Sequence, residues 1–311
     1  MEKNRVEVAA LAQALSLKQI TGDQQALTRW IITPDVNRPG LELAGFALAS
    51  EKKRVVILGN KELSYIRTLD QATFVQRCET ITDGYTPCII ISSKRQCPPL
   101  LKKIAEKKNF PIFLSNKKSA ILMVDIIGFL EAKLAPWKQI HGCLVNIYGR
   151  GVIISGASGI GKSEITLELL RKGHVMVADD AIIVSRIANQ LVGKAPEILY
   201  GMLEIRGIGI IDCIKMFGAA VVMPESLIDY VVELEAWDQN NPIERVYIAA
   251  EQCFSILGVE IPKIVIPVSG GRSLATIIEA AVINVNLKNM GIDVNKEFDK
   301  KVIDFIKQKG E

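Results

Sequence analysis

The chain has 311 residues, of which 49% are hydrophobic and 23% charged. That length suggests about two domains, and that balance excludes a disordered chain, which would lack the apolar surface to offset ordering entropy. The formal net charge of +4 is concentrated before residue 133 in pairs such as Lys102-Lys103, Lys107-Lys108 and Lys117-Lys118; without interleaved aromatics these read as a solvated face, and no nucleic-acid partner is expected.

The opening residues Met1-Glu2-Lys3-Asn4-Arg5 are polar and lack the apolar core of a signal peptide. Apolar residues at helical spacing over 7–17 predict a helix. Arg54-Val55-Val56-Ile57-Leu58-Gly59, Pro87-Cys88-Ile89-Ile90-Ile91-Ser92 and Pro111-Ile112-Phe113-Leu114-Ser115 are short apolar runs with the pattern of buried strands. Between and after them, 98–108 and 119–132 read as helices, the first with proline near its first turn. Strands alternating with helices predict an N-terminal α/β domain with a mostly parallel sheet. The run 120–130 is too short to span a bilayer and carries Asp125, so no membrane partner is expected and the protein is expected in the cytoplasm. Ala135-Pro136-Trp137 marks the boundary, giving domains 1–133 and 134–311.

The second domain opens with apolar segments 140–147 and 151–155 separated by Tyr148-Gly149-Arg150, a hairpin spacing. Next comes Gly156-Ala157-Ser158-Gly159-Ile160-Gly161-Lys162-Ser163, a complete G-x-x-x-x-G-K-[ST] motif. A strand pattern precedes it, and a helix pattern over 164–172 follows, stopped by Gly173. Glycines let the loop curl so that successive amides meet phosphate oxygens, and the helix N-terminus adds positive potential there. Lys162 would reach the β- and γ-phosphates, and Ser163 would place a hydroxyl on Mg²⁺. The expected fold is therefore α/β throughout, a P-loop-containing kinase domain following the N-terminal one.

Val175-Met176-Val177-Ala178-Asp179-Asp180 is an apolar strand ending in two acids, at the end where ligands gather in parallel sheets. One acid would hold Mg²⁺ and the other accept a proton from an attacking hydroxyl. In 203–211, Glu204 and Arg206 share side-chain parity in an extended segment. Glu204 would complete the Mg²⁺ shell and Arg206 neutralise transition-state charge; taken alone, a surface ion pair explains them as well. His174 follows a helix stop and reads as structural, while His141 is open to a structural or a catalytic role. The six cysteines show no C-x-x-C pair and read as buried free thiols, and no zinc site is expected.

Taken in order, His141-Gly142, the 156–163 loop, Gly173-His174 with Asp179-Asp180, Leu203-Glu204-Ile205-Arg206-Gly207-Ile208-Gly209-Ile210-Ile211 and Pro267-Val268-Ser269-Gly270-Gly271-Arg272 resemble the HPr kinase/phosphorylase family. Ile278-Glu279-Ala280-Ala281, Asn284 and Met290-Gly291 continue the likeness, and Asn37-Arg38-Pro39-Gly40-Leu41-Glu42-Leu43-Ala44-Gly45 extends it to the first half. The resemblance implies an enzyme that uses ATP and Mg²⁺ to phosphorylate a serine of the carrier protein HPr. It also implies the reverse, in which inorganic phosphate attacks phosphoserine and pyrophosphate leaves, in the regulation of bacterial sugar uptake and carbon catabolite repression. It implies catalytic roles for His141, Lys162, Asp179, Asp180 and Arg245, with Asp180 as proton acceptor in one direction and donor in the other. Ser163 and Glu204 match its Mg²⁺ ligands, Glu204-Ile205-Arg206-Gly207 its signature, and Pro267, Gly271 and Arg272 its dephosphorylation segment. A homohexamer and a fructose bisphosphate effector follow from the same likeness. Ser269 and Gly270 stand where the family usually has a basic residue and then Pro or Val, and Ser273 where it has Asn, so phosphorylase activity is expected to be altered more than kinase activity. Val246-Tyr247 likewise departs after Arg245. Two other readings remain: a P-loop kinase of a small metabolite related to phosphoenolpyruvate carboxykinase, and a nucleotide-dependent sensor or DNA-binding regulator. The acid pair and Glu204 argue against the sensor, and the lack of a helix-turn-helix signal argues against DNA binding.

Overall fold

A computed structural model describes residues 4–46, 54–236, 252–268 and 273–309. The chain divides into two compact units, Met1–Pro136 and Trp137–Glu311.

The first unit runs β1 (Val6–Glu7), α1 (Val8–Ala14), β2 (Lys18–Thr21), β3 (Trp30–Ile31), β4 (Val36–Asn37), α2 (Gly40–Ala44), β5 (Val55–Leu58), α3 (Asn60–Ile66), α4 (Gln71–Ile81), β6 (Ile89–Ile91), α5 (Pro99–Lys107), β7 (Ile112–Leu114) and α6 (Ser119–Leu134). Its main sheet has the order β2-β7-β6-β5-β4; β4 to β7 are parallel and β2 is an antiparallel edge. The central strands are buried on both faces, as a helix-covered parallel sheet demands. Alternation divides their side chains: Val56, Leu58, Ile89 and Ile91 meet α3, α4 and α5, while Val55, Ile57 and Ile90 meet α1 and α6. The helix expected over 7–17 is shorter, ending at Ala14, because Ser16 takes φ 51 and turns the chain into β2. At the carboxyl end of β5, Glu62 of α3 is buried, accepts from the Gly59 amide at 2.9 Å and pairs with Arg38 at 2.8 Å. Burial opposes the charge on Glu62, but Arg38 and the backbone outweigh it and hold the carboxyl below its ordinary range.

The second unit runs β8 (Trp137–His141), β9 (Cys143–Ile147), β10 (Arg150–Gly156), α7 (Lys162–Arg171), β11 (Val175–Ala178), β12 (Ala181–Ile187), β13 (Gln190–Lys194), β14 (Met202–Ile205), β15 (Gly209–Asp212), α8 (Cys213–Phe217), β16 (Glu225–Leu227), β17 (Tyr230–Ala236), β18 (Cys253–Ile256), β19 (Val259–Val268), α9 (Leu274–Asn289) and α10 (Val294–Lys309). A six-stranded sheet has the order β11-β9-β10-β17-β19-β18, and a four-stranded one the order β16-β13-β12-β8. The large sheet buries Val152, Ile154, Val232, Leu234, Ile264 and Ile266 under α7 and α9. Its other face, through Leu144, Ile153 and Val231, packs on Ile182, Val184 and Leu191 of the small sheet. Helices, large sheet and small sheet thus form three layers.

One expectation changes here. The segment 140–147 is not one strand: Gly142, at φ 149, breaks it, so that β8 joins the small sheet and β9 the large one. A Cβ on Gly142 would stand 2.8 Å from the Ile154 carbonyl oxygen, so only glycine fits without a backbone shift. The hairpin expected across Tyr148-Gly149-Arg150 is present as β9–β10, and the large sheet is mixed: β10, β17 and β19 run together, while β9 is antiparallel to both β10 and β11. Because β9 lies between them, β11 still runs in the direction of β10, and their carboxyl ends meet at one edge. Among the described residues no helix is long and apolar enough to cross a membrane.

Candidate active site

At that edge lies a cavity of about 320 Å³, lined by the phosphate loop, by His141, Cys143, Asp179 and Asp180, and by residues 204–207 and Gly209. The loop leaves β10 through Gly156 and enters α7 at Lys162, with Gly156, Gly159 and Gly161 at φ 146, 83 and 100. Lys162 is buried, and its ammonium donates to the carbonyls of Gly156 at 3.0 Å and Ala157 at 3.1 Å, which places a positive charge inside the curl of the loop. At its far end α7 is stopped by Gly173. The Gly173 amide bonds to the Leu170 carbonyl and the His174 amide to that of Leu169, the double closure of a Schellman turn.

The two adjacent acids have different surroundings. Asp179 is 3% exposed. Its Oδ1 accepts from Cys143 Sγ at 2.7 Å, its Oδ2 from the Glu204 amide at 3.2 Å, and both oxygens lie 3.1 Å from the Ser163 hydroxyl that donates to them. Burial pushes the Asp179 pKa up, against the three donors. Asp180 turns outward. It is a non-glycine residue at φ 64, a conformation that aspartate tolerates better than most side chains. The Gly142 amide donates to its carbonyl at 3.2 Å, and its carboxylate lies 3.1 Å from His141 Nδ1, with the side chains 63% and 55% exposed. Residues 141 and 143, on either side of the strand break, thus attend one acid each.

The segment 203–211 is a hairpin of β14 and β15, not a single extended strand. Arg206 therefore reaches the site from the turn and not by sharing strand parity with Glu204. Its guanidinium lies over the phosphate loop, so close that a Cβ on Gly159 would stand 2.8 Å from Nη2. Glu204 and Ile205 complete that wall, and Ile210 is paired across the hairpin with Glu204.

Among the described residues no group of three or more His, Cys, Asp or Glu side chains is arranged to hold a metal ion. A Mg²⁺ ion carried by a nucleotide needs fewer protein ligands, since phosphate and water oxygens fill most of its shell. The Ser163 hydroxyl, the Asp179 carboxylate 3.1 Å away and the exposed Glu204 form an all-oxygen set that suits such an ion. Pro267 is on β19, paired with Glu235, and does not line the cavity. Arg245, Gly271 and Arg272, with Ser269 and Gly270, lie outside the described residues.

His174 is buried away from the cavity, 2.8 Å from Glu279 and edge-on to Tyr148. Glu279 also accepts from Lys172 at 2.9 Å, so this cluster ties the end of α7 to α9. The cysteines are free, but Cys97 is half-buried and Cys253 exposed, because Cys253 lies on the edge strand β18. Cys143 is the contact that sequence reasoning did not single out. Its only signal was a position two residues past His141.

Residues 6–130 match the family description HPr Serine kinase N terminus, and residues 132–302 match HPr Serine kinase C-terminal domain. The chain is 41% identical over 305 residues to the HPr kinase/phosphorylase of Halalkalibacterium halodurans, covering 98% of each chain. It is 40% identical over 303 residues to that of Bacillus subtilis, covering 97% of each. Among solved structures, the Hpr(Ser) kinase/phosphatase from Coxiella burnetii matches with a TM-score of 0.46 and 34% identity, over 49% of this chain and 99% of that one.

Proposed function

Because the chain belongs to the HPr kinase/phosphorylase family, it is a protein-serine kinase and phosphorylase acting on HPr, and we propose how its residues divide that work. In the forward direction the serine hydroxyl of HPr attacks the γ-phosphorus of ATP and gives its proton to Asp180, while the bond to the β–γ bridging oxygen breaks and ADP leaves. His141, 3.1 Å away, orients the Asp180 carboxylate. Lys162 and the amides of the phosphate loop hold the phosphate oxygens, and Arg206, above Gly159, offsets charge that builds up during transfer. Ser163 and Glu204, with Asp179 behind Ser163, would hold Mg²⁺, which neutralises phosphate charge when bound.

In the reverse direction an oxygen of inorganic phosphate attacks the phosphorus of phosphoserine. Asp180, now protonated, returns its proton to the departing serine oxygen, and pyrophosphate is the second product. The same serine O–P bond is made in one reaction and broken in the other, so one carboxyl group takes the serine proton and returns it. The observation that carries this assignment is the exposed Asp180–His141 pair opening into the same cavity as the phosphate loop.

We assign assembly or regulation to the N-terminal unit and place the enzyme in the cytoplasm. A homohexamer rests on the family resemblance; on α10, Val294, Phe298, Val302 and Ile306 recur at four-residue spacing and are 47%, 58%, 38% and 63% exposed, a face that another copy would cover. Fructose bisphosphate as a promoter of the kinase direction, and Arg245 with the 267–272 segment as further parts of the machinery, rest on the family resemblance. The test uses the purified full chain, HPr, Mg²⁺ and γ-labelled ATP. Label is expected on a serine of HPr, and added phosphate is expected to remove it as pyrophosphate. Unlabelled HPr with intact ATP binding would overturn the reading in favour of a metabolite kinase.

A further inference from the structure

Cys143 has no part in the division of work above, yet it touches its most buried member. It is the first residue of β9, 1% exposed, and its Sγ–H donates to Asp179 Oδ1 at 2.7 Å. The other donors to Asp179 come from α7 and β14: Ser163 Oγ bridges both oxygens and the Glu204 amide holds Oδ2. The carboxylate is therefore held at one oxygen from β9 and at the other from β14. A serine hydroxyl has one proton. With that proton directed to Asp179, the lone pairs of Ser163 point away from the carboxylate.

We propose that Cys143 is a positioning residue: its thiol donor fixes the Asp179 carboxylate, which in turn holds the Ser163 proton and leaves the Ser163 lone pairs for the nucleotide-bound cation. The inference rests on the functional reading above, and Cys143 itself touches no substrate. A packing role makes the opposite demand. Cys143 also belongs to the apolar cluster with Val145, Ile154 and Leu169. If filling that space were its purpose, valine would serve and serine would not.

Two full-chain variants separate the roles. Cys143→Val keeps the bulk and removes the donor; Cys143→Ser keeps a donor and removes some bulk. The readouts are the Mg²⁺ concentration giving half-maximal phosphorylation of HPr, kcat at saturating Mg²⁺, and ATP affinity with and without Mg²⁺ by calorimetry. For Cys143→Val the half-saturating Mg²⁺ is expected to rise roughly three- to ten-fold, the span one hydrogen bond is worth, with kcat at saturation nearly unchanged. Cys143→Ser is expected to restore the wild-type Mg²⁺ response. A wild-type response in folded Cys143→Val, or a serine variant worse than the valine one, overturns the inference. The effect must also act through Asp179. In an Asp179→Asn background, replacing Cys143 should change nothing further, and full additivity of the two changes refutes the proposal even if Cys143→Val alone is unstable. If no protein labels HPr, the functional reading fails, while Mg²⁺-dependent ATP binding still reads the role of Cys143.

Discussion

Replacing Asp180 with asparagine separates chemistry from folding unusually well. The backbone at 180 has φ 64, and asparagine is as much at home there as aspartate. The side chain is 63% exposed, and among the described residues its one ion-pair partner is His141. The folded state is therefore expected to lose no more than about 0.5 kcal/mol, the usual range for a surface change. The reaction loses the group that takes and returns a proton. Positioned proton transfer contributes about 10²–10⁴ in rate, or roughly 2.7–5.4 kcal/mol of barrier. The assay is the transfer of labelled phosphate to HPr and the phosphate-dependent release of pyrophosphate, with a urea titration beside them. Both reactions should fall within that range, with ATP affinity and the urea midpoint held. Asp180→Asn retaining more than about a tenth of the rate in either direction, well above the range for a lost general base, would refute the role given to Asp180. So would loss in one direction only.

Four further outcomes are expected. Gly142→Ala puts a Cβ against the Ile154 carbonyl at positive φ, and should cost about 1–3 kcal/mol in urea and most of the activity, since His141 and Cys143 both hang on that residue. Glu62→Gln should lower the urea midpoint at pH 7 by an amount equivalent to about 1–2 kcal/mol. The Glu62 carboxyl is held below its ordinary range, so its contribution is full above about pH 4.3 and is lost as pH falls through the folded value; the gap between wild type and variant should close on acidification. Glu279→Ala leaves the buried His174 without its partner and should cost about 1–3 kcal/mol by thermal unfolding. Chelation of Mg²⁺ should stop phosphoryl transfer and leave the thermal midpoint unchanged, because the phosphate loop and the acid pair are held by hydrogen bonds within the chain.

The N-terminal sheet was legible because its strands are buried on both faces and so read as unbroken apolar runs, as at Val55–Leu58 and Ile89–Ile91. The phosphate loop was legible because its glycines answer a local demand of the backbone. What stayed hidden depends on tertiary placement. A glycine inside the apolar stretch 140–147 gives no local sign that the chain changes sheets there. The hairpin under Arg206 depends on pairing between segments that sequence periodicity does not order. Asp179 and Asp180 are identical as letters, and only the packing of β9, α7 and β14 makes one a buried acceptor of three donors and the other an exposed partner of a histidine. Cys143 reads as one more small hydrophobe until the carboxylate beside it is placed.

The exposure of Asp180 and His141 has a consequence for fidelity. Water is also a hydroxyl nucleophile, and a proton acceptor open to solvent does not tell it from a serine. Among the described residues the pair stays open, so a docked acceptor protein that brings the serine would also dry the cavity. On that footing idle hydrolysis of ATP would be restrained by poor alignment until HPr arrives, and the accuracy of transfer would be shared between the two proteins.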